Sequence, residues 1–145
     1  MQSPEQALSQ YLRKKGIRQS VQRSRVLEIF LNTERHLTGN ELYDLARKKY
    51  PKLGYATVYR AMKVIAEAGL AEEIDFGDGS KRYEHKFGHE HHDHLICVQC
   101  GRCVEAMNPQ IEKLQREFAK EHGFELMDHK MNLFGICSDC IKLKK

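Results

Sequence analysis

Two pairs of cysteines carry the clearest chemistry in this sequence. Cys97 and Cys100 stand two residues apart, Cys137 and Cys140 likewise, and 36 residues separate the pairs. Zinc takes four thiolates in a tetrahedron, most readily from tight two-residue knuckles. The spacing therefore points to a structural zinc site. An iron–sulfur cluster is the rival that four thiolates also admit. Cys103 is left over and reads as spare, although Cys100-x2-Cys103 is itself a pair that admits Cys103 in place of Cys100. A second concentration of ligands lies just before, where five of the eight histidines fall between His85 and His94. In His91-His92-Asp93-His94, strand geometry puts alternate side chains on opposite faces. His92 and His94 then share one face, and His91 and Asp93 share the other. One tetrapeptide can serve two separate metal sites. Imidazole with carboxylate suits Fe(II), Mn(II), Zn(II) or Co(II). The competing reading is a solvated polar hinge, and four ligand-type side chains in a row beside a thiolate knuckle favour metal over it.

These residues need elements to hold them. Ser3-Pro4-Glu5-Gln6 reads as a helix start with a Ser cap, Pro at the first position and Gln to close the box. That helix runs to Lys15 and stops at Gly16. Ser20 caps a second helix that turns Val26, Leu27 and Phe30 inward. Thr38-Gly39-Asn40-Glu41 is another capping box, opening a third helix with Leu42, Leu45 and Ala46 on one face. A fourth runs from near Tyr55 to Gly69, with Val58, Ala61, Met62 and Ile65 on its core face. Tyr59, Arg60 and Lys63 lie on its other face. Two extended runs, Ala71–Phe76 and Lys81–Glu84, joined through Gly77-Asp78-Gly79, read as a hairpin. Helices followed by a two-stranded ribbon make a winged helix, with the third and fourth helices as its helix-turn-helix. Beyond it the sequence predicts a polar hinge at 85–91 and a strand over His92–Val98. An amphipathic helix follows from Asn108-Pro109, with Ile111, Leu114 and Phe118 inward, closed by Gly123. Phe124–Ile136 is the last extended segment. The fold class is α+β: an N-terminal winged-helix domain, 1–84, the hinge, and a C-terminal α/β zinc-containing dimerisation domain, 92–145. About 55 residues make a small core, so the second domain needs a metal, a partner or both.

Charge is divided along the chain. Residues 1–70 hold 13 Lys/Arg against 6 Asp/Glu, and residues 71–145 hold 11 against 14. A basic first half favours an anionic partner, most simply nucleic acid. The sequence has no apolar run long enough to cross a bilayer and no apolar signal core at its start. A cytoplasmic location is expected, and five cysteines there are metal ligands more readily than disulfides.

Taken together, these residues resemble the ferric uptake regulator family. The motifs that carry the resemblance are Gly16-Ile-Arg-Gln-Ser-Val-Gln-Arg23, Ala56-Thr-Val-Tyr-Arg60, Arg82-Tyr-Glu84, and the run from His91 to Gly101. The resemblance spans Ser9 to Cys140. It implies structural zinc on Cys97, Cys100, Cys137 and Cys140. It implies a regulatory site of His36, Glu84, His92, His94 and Glu105, and a third site of His91, Asp93, Glu112 and His129. It matches Tyr59 and Arg60 to DNA contacts on the recognition helix and places Arg18 where a basic residue meets the minor groove. The segment between Glu84 and His92 is one residue longer than in some members, which leaves His85 or His89 open as a substitute for Glu84.

The function so implied is a homodimeric, metal-responsive repressor that binds a palindromic double-stranded operator when its regulatory site is filled. It would control metal uptake. Fe(II) is the expected signal, with Mn(II), Zn(II) or Co(II) as substitutes and a tetramer left open. Zinc-sensing and peroxide-sensing members remain alternatives, and Glu105 in place of Asp argues against the peroxide sensor. Readings from other classes are a zinc hydrolase with an open site and a metal-storage protein. The first has no HExxH, and neither gives a basic winged helix a role. No enzyme activity, small-molecule substrate or membrane partner is expected.

Overall fold

A computed structural model describes residues 2–33, 36–77, 79–87 and 92–143. His91, His89, Asp78 at the expected hairpin turn, and most of the expected 85–91 hinge lie outside the described residues. The chain divides into two compact units, Met1–Asp75 with Gly79–His89, and Phe76–Asp78 with Glu90–Lys145.

The first unit packs four helices against a small sheet. They are α1 (Pro4–Lys15), α2 (Val21–Leu31), α3 (Gly39–Lys49) and α4 (Tyr55–Glu67). Local signals set their ends. Ser3 Oγ accepts from the Gln6 backbone N–H at 3.1 Å, and Gln6 Oε1 accepts in return from Ser3 N–H at 2.9 Å. Thr38 and Glu41 repeat this exchange at α3, at 3.1 and 3.0 Å. Each box satisfies two N–H groups that a helix start otherwise leaves unpaired. Gly16 ends α1 at φ +70°, a conformation glycine adopts without strain.

Helical spacing delivers Leu8, Leu12, Val26, Leu27, Phe30, Leu42, Ala46, Val58, Met62 and Ile65 to one buried core. Three short strands close it: β1 (Leu37–Thr38), β2 (Ala71–Asp75) and β3 (Lys81–His85), in the order β1-β3-β2 and antiparallel throughout. The ribbon expected after α4 is β2–β3. The two-residue β1 beside it carries no periodicity that a sequence pattern can register.

The second unit is a three-stranded sheet with two helices. Its elements are β4 (Asp93–Cys97), β5 (Cys103–Ala106), α5 (Pro109–Glu121), β6 (Asn132–Gly135) and α6 (Ser138–Leu143). β4 lies in the middle, antiparallel to β5 and parallel to β6.

Two sequence expectations need correction here. Leu114 and Phe118 do not point into a core: they are 63% and 65% exposed, and no residue of α5 is buried. Helical periodicity identifies an apolar stripe without saying what covers it, and this thin unit has no interior deep enough to do so. Nor is Phe124–Ile136 one long strand, since only Asn132–Gly135 pairs. A strand exists where a neighbour offers hydrogen bonds, and β4 pairs with this segment only at Asn132–Gly135, with the Met131 carbonyl oxygen accepting from the His94 N–H at 3.2 Å at its start.

Thr38→Ala removes one half of the α3 capping box while leaving the apolar core intact. Stability should fall by about 1 kcal/mol, read as a lower midpoint in urea denaturation with an unchanged slope.

Candidate metal centres and nucleic-acid face

In the second unit the two knuckles meet. Cys97 ends β4, Cys100 lies in the turn after it, Cys137 precedes α6, and Cys140 lies within α6. Cys97 Sγ is 3.8 Å from Cys140 Sγ, and Cys100 Sγ is 3.7 Å from Cys137 Sγ. Zn–S bonds of about 2.3 Å put sulfurs about 3.8 Å apart at the corners of a tetrahedron, so the four thiols already stand at ligand spacing. No disulfide joins any of the five cysteines, all of which are among the described residues.

The backbone prepares this site for charge. The N–H groups of Cys137 and Cys100 donate to Cys97 Sγ at 3.3 and 3.5 Å, and together they lower the Cys97 thiol to about 6. The Cys137 sulfur, followed by burial, pushes Cys140 up to about 12. Cys137 is lowered as well, chiefly by the Cys140 backbone N–H, while Cys100 is raised like Cys140. Two thiolates form readily and two thiols resist, which is the electrostatics of a cluster that a divalent cation completes.

The two faces of β4 carry different chemistry. On one, Asp93 is 3% exposed and joins Glu112 from the first turn of α5 and His129 from the stretch between α5 and β6. Ligand atoms of all three lie within 4.8 Å of one another, and His129 Nε2 is 2.9 Å from Glu112 Oε2. On the other face, His94 is 3% exposed and stands directly across from Glu105 on β5. The His92 ring meets that of His94 at 5.0 Å between centroids, and His92 Nε2 is 3.5 Å from Glu105 Oε1. His94 and Glu105 are cross-strand partners because β5 pairs with β4 in this register, and β5 itself was not legible in the sequence.

In the first unit, His36 Nε2 lies 2.7 Å from Glu84 Oε2. His36 immediately precedes β1, and Glu84 sits on the neighbouring β3. His85, the neighbouring residue on β3, turns to the face opposite Glu84, where its Nε2 is 2.6 Å from the Phe30 carbonyl oxygen and its ring packs edge-on against Phe30.

Cys103 does not join the four-cysteine cluster. It pairs with Ile96 on β4, and directly opposed residues share a face. Cys97, one residue on from Ile96, points to the other side of the sheet.

The exposed face of α4 presents Tyr59, Arg60 and Lys63, while Val58, Ala61, Met62 and Ile65 are buried beneath. Tyr55 and Tyr59 stack with centroids 6.4 Å apart and planes 17° apart. Tyr43 from α3 meets Tyr55 edge-on at 5.6 Å. Tyr55 and Tyr43 are additions to the face expected from sequence, and the four-residue spacing of Tyr55 and Tyr59 is the signal that reveals the first of them. Arg18 is exposed in the loop between α1 and α2, where its carbonyl oxygen accepts from Arg23 Nη1 at 3.0 Å.

Residues 14–134 match the family model described as the ferric uptake regulator family. Over 131 residues the chain is 41% identical to the ferric uptake regulation protein of Campylobacter jejuni, covering 89% of this chain and 83% of that protein. It is 32% identical over 129 residues to the peroxide-responsive repressor of Staphylococcus aureus, covering 89% and 86%. Its structure is similar to that of the Helicobacter pylori ferric uptake regulator, which is described as having three functional metal-binding sites. There the TM-score is 0.80, with 29% identity over 97% of this chain and 95% of the other.

The separation of Cys103 from the cluster is directly testable. Cys97→Ser or Cys140→Ser should lose tightly bound zinc and destabilise the second unit, because a structural zinc site contributes folding energy. Cys103→Ser should keep one zinc per chain in that centre. Metal analysis after extensive dialysis, alongside thermal melts, distinguishes the variants.

Proposed function

The chain belongs to the ferric uptake regulator family and is a metal-responsive regulator of that family; from that premise we propose that it is a homodimeric repressor. It binds a palindromic operator when its regulatory site holds Fe(II), and it thereby controls metal-uptake genes in the cytoplasm. Among the described residues no helix is long and apolar enough to cross a membrane.

Three metal sites follow in this reading. Cys97, Cys100, Cys137 and Cys140 hold structural zinc. His36, Glu84, His92, His94 and Glu105 form the regulatory site. Asp93, Glu112 and His129, with His91, form the third. The observation that carries the reading is the partition of β4, with His94 and Glu105 on one face and Asp93, Glu112 and His129 on the other. Two distinct donor sets of imidazole and carboxylate suit divalent first-row ions, and each is anchored on the same strand.

His36 and Glu84 belong to residues 1–84, and His92, His94 and Glu105 to residues 92–145, with 85–91 as the hinge. Ligands divided in this way let a bound ion select one arrangement of the two domains from an open ensemble. Tyr59, Arg60 and Lys63 then meet the major groove and Arg18 the minor groove. Phosphate contacts position such a domain and base contacts specify the site. The exposed stripe of Leu114 and Phe118 on α5 supports a second copy as the partner of this domain. Similarity to the peroxide-responsive repressor supports one further reading, in which the same ligands report oxidant through the bound iron.

Operator duplexes can be enriched from a random library by the Fe(II)-loaded protein. On these, Arg60→Ala should lose about 1–3 kcal/mol of binding relative to random DNA. Arg18→Ala should weaken binding to both and flatten its salt dependence. Equal losses on both DNAs would move Arg60 to the phosphate contacts.

The switch itself is tested by titrating operator binding with Fe(II) under anaerobic conditions. His36→Ala should keep its zinc and its dimer mass but lose the metal response. His94→Ala should lose the response together with the regulatory ion. A His36→Ala protein that responds like the parent would refute ligation across the hinge.

A further inference from the structure

We propose that Cys103 supplies a thiolate to the regulatory metal, making that site a mixed imidazole–carboxylate–thiolate centre. This rests on the reading of His92, His94 and Glu105 as regulatory ligands.

The pairing of β5 with β4 places the thiol. Glu105 stands opposite His94, and Cys103 stands opposite Ile96. His94 and Ile96 share a face because they are two residues apart, so Cys103 is the diagonal cross-strand neighbour of His94, within reach of its ring. Side-chain positions agree: Cys103 Sγ and a His94 ring nitrogen lie within 4.8 Å of each other. Nitrogen and sulfur on one tetrahedral ion stand about 3.6 Å apart, a difference that rotation about the Cys103 side-chain torsion can take up. The sheet separates this thiol from the four-cysteine centre, since Cys97 points to the opposite face. His94 is buried at 3% exposure, and Cys103 is half-buried beside it. His94, Cys103 and Glu105 on one face of two adjacent strands, with His92 just before β4 against the His94 ring and Glu105, thus offer two imidazoles, a thiolate and a carboxylate.

The donor set changes what the site prefers. Thiolate is a soft ligand that favours Zn(II), Co(II) and Fe(II) over Mn(II), which prefers oxygen donors. Cys103 therefore biases the regulatory site against manganese.

The experiment uses the full chain with zinc already in the four-cysteine centre, confirmed at one per chain by metal analysis before and after titration. Co(II) is added as the probe. The parent should develop a near-ultraviolet thiolate-to-cobalt charge-transfer band with the visible ligand-field bands. Cys103→Ser should lose the charge-transfer band and keep weaker ligand-field bands. Its Co(II) and Zn(II) affinities should fall by at least the roughly 10–100-fold typical of disturbing a metal site, with Mn(II) affinity changed far less. His94→Ala should lose both sets of bands. An undiminished charge-transfer band in Cys103→Ser, with zinc retained, would overturn the proposal and leave the regulatory site standing. Unaltered Co(II) binding in His94→Ala would instead overturn the site on which the proposal rests.

Discussion

The second unit depends on β4 being hydrogen-bonded along both edges. A strand paired on one side only can twist or slip, and a slip of one residue sends every side chain to the opposite face. Here antiparallel β5 and parallel β6 hold the register together. Asp93, His94 and Cys97 then face, in turn, a carboxylate–imidazole cluster, a second such cluster, and the four-thiol centre. Three ligand sets share five residues of backbone. Moving β4 by one position would dismantle all of them at once, so the geometry of the candidate metal sites and the integrity of the sheet are a single property.

The four-cysteine centre compensates for what the unit lacks in bulk. Among its described residues, Phe76, Ile96, Cys97 and Cys140 are the apolar side chains that are fully buried, whereas the first unit has a continuous core around Phe30, Leu42 and Met62. A domain with so few buried residues needs a covalent or coordinate cross-link to stay folded. The cysteines join the end of β4 to α6 and so add a second tie, beside the β4–β6 pairing, between segments about 40 residues apart.

Legibility followed the range of the interactions. The Ser3 and Thr38 boxes and the Gly16 stop act over three or four residues, and all were readable. So was the two-face division at His92–His94, because strand alternation is local. The cross-strand placement of Cys103 was not, since β5 is four residues long, begins just after a knuckle and has no marked alternation. Phe124–Ile136 looked like a strand because its residues suit one, and it fell short because pairing needs a neighbour. The α5 stripe was identified and its surroundings mistaken: helical periodicity reports which residues avoid water without naming the surface that shields them.

That stripe has a consequence for how the protein behaves in quantity. With Leu114 and Phe118 on the outside of α5, and a second copy as their proposed cover, folding of the second unit is linked to association. Its stability then rises with protomer concentration and is lost on dilution. A cell that makes few copies would hold a smaller assembled fraction as well as fewer molecules. Repression would therefore vary more steeply than linearly with the amount of protein synthesised, and expression level would become an input to the switch alongside the ion.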